Sequence, residues 1–94
     1  MHVAALTIEL CLPGCNSLKQ KRSRIKPLLA RLHREFNISV AEIDHNDHHQ
    51  LAVIACVVVS NDVRHVQRRL AGIPTWIEKH RPDIQVIDDQ ITIL

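Results

Sequence analysis

The chain has 94 residues, 46% hydrophobic and 23% charged, with a formal net charge of +2. That length fits a single domain over residues 1–94, in which folding buries roughly 60% of the unfolded surface, and the composition is that of an ordinary globular protein. No run reaches the ~18 apolar residues of a membrane span, and three cysteines without paired spacing exclude both a disulfide framework and a four-cysteine zinc site; a reducing, cytoplasmic setting with no membrane partner and no cofactor is the expectation.

Residues 2–12 alternate, with Leu6, Ile8, Leu10 and Leu12 on one side and Val3, Ala5, Thr7, Glu9 and Cys11 on the other. A period of two predicts a strand with one fully apolar face, and Pro13-Gly14 ends it. The apolar start carries Glu9 and no basic leader, so it reads as a strand and not as a signal peptide. Ser17 to Gln20 has the form of a capping box. Leu18, Ile25, Leu28, Leu29, Leu32 and Phe36 then fall within about 60° of one line of a helix. Pro27 lies inside that helix and Lys21 projects near its apolar line. Either the helix kinks near Ser23, or residues 17–22 form a looser turn and the regular helix starts near Ser23. Asn37 is the expected left-handed stop.

Residues 38–44 predict a short strand with Glu42 and Asp44 on one face, and residues 45–49 a polar connection. Residues 51–59 are nine apolar residues, four of them valine. Such a run predicts a strand covered on both faces. Ser60-Asn61-Asp62 caps a second helix, whose stripe is Val63, Val66, Leu70, Ile73 and Ile77. Gly72 and Pro74 predict a bend in it, and Trp76 falls opposite the stripe. Residues 84–94 predict a last strand, with a bulge near Asp88-Asp89 reconciling the two parities of its isoleucines.

Strand, helix, strand, strand, helix, strand is an α+β order. It predicts a ferredoxin-like sandwich: a four-stranded antiparallel sheet of order 4-1-3-2 with both helices on one face. The helices cover only one face. Val3, Ala5 and Thr7 are expected on the other, where either a second copy of the chain, giving a homodimeric regulatory or ligand-binding module, or another protein is the expected cover.

Seven of the twelve Lys and Arg lie in one stretch: Lys19, Lys21, Arg22, Arg24, Lys26, Arg31 and Arg34. A helix carrying so many cations concentrates phosphate, so these seven are candidate nucleic-acid contacts; the same residues also read as a solvated helix face. RNA-recognition modules of this architecture stack bases on aromatics of the two central strands. Here those strands hold no Phe, Tyr or Trp, which argues against that mode. His45, His48 and His49, between Asp44 and the long strand, are candidate metal ligands and also read as a plain polar turn. No nucleophile with a base, and no Gly-rich phosphate loop, can be named, so a non-enzymatic protein is expected.

Three phrases carry a resemblance: SLKQKRSRIKPLL, FNISVAEIDHND and VVVSNDVRHV, in that order. They are similar to the YlxP-like family of small bacterial proteins of unknown function, over the whole length. The chain departs from the family pattern at Pro27 and at His48-His49, where an apolar or aromatic pair is usual. The resemblance implies a ferredoxin-like fold and no established activity. Family genes often lie near those for ribosome maturation and translation initiation, which implies an RNA or ribosomal particle as partner.

Overall fold

Two ten-residue strands, β1 (His2–Cys11) and β3 (Leu51–Ser60), pair antiparallel along their whole length, from His2 opposite Ser60 to Cys11 opposite Leu51. They form the centre of the sheet in the computed structural model, which describes residues 1–45 and 47–94. β2 (Ser39–Asp44) flanks β3 and β4 (Gln85–Ile93) flanks β1, both antiparallel. The order β2-β3-β1-β4 is the expected 4-1-3-2 read from the opposite edge, and the architecture is ferredoxin-like.

The period of two sorts each strand onto two faces. Ala4, Leu6, Ile8 and Leu10 of β1 and Ala52, Ile54, Cys56 and Val58 of β3 all point under the helices and are buried. Burial pushes the Cys56 thiol up to about 12, so it stays neutral and serves as a small apolar side chain. The alternate residues, among them Val3, Ala5, Thr7, Val53, Ala55 and Val57, are half-buried on the open face.

Helix α1 (Leu18–Phe36) opens as the capping box predicts. Ser17 Oγ accepts from the Gln20 amide at 3.1 Å, while Gln20 Oε1 accepts from the Asn16 amide at 2.8 Å. The helix starts at Leu18 and runs through Pro27, so the alternative of a loose turn over 17–22 is not what forms. Pro27 lacks an N–H to give to the Ser23 carbonyl; Arg81 Nη2 donates to the neighbouring Arg24 carbonyl at 3.0 Å. Asn37 ends the helix in the left-handed region, with φ 52°.

The second helical stretch divides at Gly72 into α2 (Val63–Ala71) and α3 (Ile73–His80). Pro74 lies in the first turn of α3, where its missing donor costs nothing. Asp62 Oδ1 accepts from the amides of Arg64 and His65 and caps α2. Ile25, Leu28 and Leu32 of α1, with Val66, Leu70, Ile73 and Ile77 of α2 and α3, complete the core.

Both edge strands carry a bulge. In β4 Leu10 faces Val86 and Glu9 faces Asp88, leaving Ile87 as the extra residue one place before Asp88. In β2 Glu42 faces Ile54 and Asp44 faces Val53, leaving Ile43 extra. That second bulge overturns the expectation that Glu42 and Asp44 share a face: Glu42 lies with the helix-side residue Ile54, Asp44 with the open-face residue Val53. No helix among the described residues is long and apolar enough to cross a membrane.

Candidate nucleic-acid interface

All twelve Lys and Arg lie in the helices or at the residue that caps α3, and none lies in a strand. The seven named from sequence do not form one surface. Lys21 is 2% exposed. Its Nζ donates to the carbonyls of His45 and His48, the latter at 2.8 Å, and sits 2.8 Å from Glu42 Oε2. Glu42 Oε2 takes the charge of that pair without an aligned hydrogen bond. Lys21 is therefore corrected from a candidate phosphate contact to a buried tie between α1 and the β2–β3 turn.

Arg24 also leaves the contact surface. Its Nε lies 3.1 Å from Asp83 Oδ2, its Nη1 donates to the Pro13 carbonyl at 3.0 Å, and its Nη2 donates to the Asp83 carbonyl. Arg81 pairs with Asp83 as well. Burial pushes the Asp83 carboxyl up, but the hydrogen bond and charge of Arg81, its own backbone and Arg24 outweigh that and hold it below the ordinary 3.8. The stability this carboxylate contributes is present above the unfolded value and is lost as pH falls through the folded one.

Lys19, Arg22, Lys26 and Arg34 are exposed on α1, and Arg31 is half-buried, its guanidinium 4.9 Å from the centroid of the Trp76 ring. The neighbouring helices add exposed Arg64, Arg68 and Lys79, which reading one helix at a time misses. Counting cations by element would have found them, because residues 1–18, 37–63 and 82–94 contain no Lys or Arg. Among the described residues, ion pairs engage only Lys21, Arg24 and Arg81.

The opposite face has the opposite character. Asp44, Val53, Glu9 and Asp88 are successive partners in one row across the open side of the sheet. Glu9 and Asp88 stand directly opposite, an unfavourable like-charge pair when bare. The rows beyond are uncharged: Ala41, Ala55, Thr7, Gln90; then Ser39, Val57, Ala5, Thr92; then Val59 beside Val3. Thus Val3, Ala5 and Thr7 lie together on the uncovered face, as expected.

The histidine turn is organised from within. Its carbonyls at His45 and His48 face the Lys21 ammonium, and His48 Nδ1 accepts from the Gln50 amide at 3.2 Å. The rings of His45 and His48 are 6.3 Å apart. Among the described residues no three His, Cys, Asp or Glu side chains gather as a metal would require. A cleft of about 390 Å³ beside the turn is lined by Cys15, His48 and His49, among others; Cys15 is 2% exposed, with its thiol turned toward the Ser17 carbonyl.

The family described as "Protein of unknown function (DUF503)" matches residues 3–91 of this chain. The chain is also similar to the uncharacterized protein YlxP of Bacillus subtilis (strain 168). The two are 29% identical over 77 residues, which cover 82% of this chain and 83% of that protein.

Proposed function

The chain belongs to this family of proteins of unknown function, and on the geometry of its own residues we propose that it is a non-catalytic cytoplasmic accessory protein that holds RNA, free or in a ribosomal particle, against its helical layer. The observation that carries this reading is the division of charge. Every Lys and Arg lies in a helix or at the cap of α3, and among the described residues the open sheet face has carboxylates and no Lys or Arg. A polyanion laid on the helices gains from that arrangement, and one laid on the sheet is repelled. The RNA-linked role implied by the resemblance agrees with it.

Five of the α1 cations named from sequence remain for contact: Lys19, Arg22, Lys26, Arg31 and Arg34. Five neutralised phosphates on a single strand give log K a slope of roughly −3.5 against log salt. A fluorescence-anisotropy titration of labelled single-stranded ribosomal RNA across a salt series tests this. The reading fails if nothing binds at low salt, or if the affinity does not change with salt.

A second, compatible reading is favoured by the uncharged rows of the open face: a copy of the same chain covers them. Strands of ten, ten, nine and six residues give an open face of about 550 Å², just under the lower bound of a standard interface per partner. At one end of the face Val59 is 60% exposed, and such apolar surface gains by being covered. Antiparallel packing about a two-fold axis keeps the two carboxylate rows apart and leaves both helical layers outward. Sedimentation equilibrium at tens of micromolar is expected to show a dimer, and Val57→Asp a monomer. A monomeric wild-type chain overturns this second reading.

A further inference from the structure

Trp76, the only tryptophan, is half-buried at the rim of the core and meets α1. Its ring meets Phe36 edge-on, with centroids 5.6 Å apart, and carries the Arg31 guanidinium over it. His80, one turn further along α3, stacks on the same indole, with centroids 4.4 Å apart and planes 19° from parallel. His80 Nδ1 lies 2.9 Å from the Trp76 carbonyl. A carbonyl only accepts, so this nitrogen carries the proton and the backbone holds the imidazole flat against the indole.

The packing of α3 on α1 does not require that arrangement. Phe36 and Arg31 already join the two helices through Trp76, while His80 is exposed and gains little burial. Holding a surface side chain in one rotamer costs conformational entropy. What results is a fixed, flat aromatic face at the surface of the layer that holds every cation. The chain's one Phe and one Trp are both in this cluster, and the sheet has neither.

Resting on the reading of the helical layer as a phosphate-binding surface, we propose that the exposed face of His80, backed by the Trp76 indole that also carries Arg31, is a base-stacking site for an unpaired nucleotide of a bound RNA strand. An unpaired base offers a free π-face; bases inside a duplex have theirs covered, and a duplex presents mainly phosphates and 2′-hydroxyls. Arg34 and Lys79, three residues from Arg31 and Trp76 on the same helices, are neighbours of the stack and supply charge for the flanking phosphates. The site thus selects single strands on a surface whose cations alone do not distinguish strand from duplex.

The test uses the emission of Trp76, which reports this site alone. An oligouridylate should bind and quench it. A duplex RNA of equal length should bind with little quenching. Uridine monophosphate at the same nucleotide concentration should not quench. His80→Ala should weaken the oligouridylate at least about fivefold and leave the duplex unchanged, while His80→Phe should retain single-strand binding because it keeps a stacking face. The proposal is overturned if the oligouridylate binds with Trp76 emission unmoved, if His80→Ala weakens strand and duplex alike, or if the mononucleotide quenches as strongly as the strand. If neither RNA binds at low salt, the phosphate-binding reading of the helical layer falls first, and the stacking site with it.

Discussion

Lys21→Met is expected to destabilise the protein by about 3 kcal/mol. Methionine matches the lysine stem in length and suits the apolar surroundings, so the loss isolates the ammonium. Three acceptors lose their partner: the carbonyls of His45 and His48, and Glu42 Oε2. A buried acceptor left unsatisfied costs about 1–3 kcal/mol, and breaking a buried ion pair from one side about 3–5 kcal/mol. The Glu42 side chain is 22% exposed, so water takes over part of its solvation and the figure falls at the lower end. For a domain of this size about 3 kcal/mol lowers Tm by roughly 12–24 °C. Lys26→Met, on the exposed side of the same helix, should stay within about 0.5 kcal/mol. Thermal melts of the two variants decide the matter. Equal, small shifts would mean that the ammonium does not hold the turn.

The second large effect is on binding. Reversing Arg22, Lys26 and Arg34 together to Glu removes three of the five α1 contacts at positions whose side chains are exposed and, among the described residues, have no carboxylate partner. At about 0.7 in slope per phosphate, three lost contacts make the salt dependence shallower by roughly 2. They weaken single-strand binding by roughly 10²- to 10³-fold at about 0.05 M salt, counted from a 1 M reference. Melting should change little, which separates this variant from one at Arg24. There a Glu would face Asp83 and remove a hydrogen bond to the Pro13 carbonyl, so weakened binding could not be told from a weakened fold. An unchanged affinity for the triple variant would place the contact surface elsewhere.

The fold was largely legible because it is written in local periods. The alternation of residues 2–12 separates the two faces of β1, and the unbroken apolar run 51–59 marks β3 as a central strand. Gly72 and Pro74 mark where α2 ends and α3 begins, and the capping residues Ser17, Asn37 and Asp62 fall where hydrogen-bonding rules put them. The candidate site was legible only as a charge density. Which cations are free depends on partners far along the chain: Lys21 is neutralised by Glu42 and two turn carbonyls, Arg24 by Asp83. A helical wheel gives the direction of a side chain and not what waits there. It places Lys21 near the apolar line correctly, but cannot show that a loop turns two carbonyls inward to meet it. It likewise sets Trp76 off the stripe of its own helix; the reason, a neighbouring α1 with Phe36 and Arg31, lies outside any single-helix pattern. The two bulges matter in the same way. Ile43 and Ile87 each shift a strand by one place, and so bring Asp44 and Asp88 into one row with Glu9 on the open face.

The division of the molecule into a basic helical layer and a cation-free sheet face is tested most directly by mapping amide chemical shifts on addition of a single-stranded RNA at low salt. The account predicts perturbations over Leu18–Phe36, Val63–Ala71 and Ile73–His80, largest around Arg31, Trp76 and His80, with Val3, Ala5, Thr7, Ala55 and Val57 unmoved. Perturbations centred on those open-face residues, or none anywhere, would contradict it.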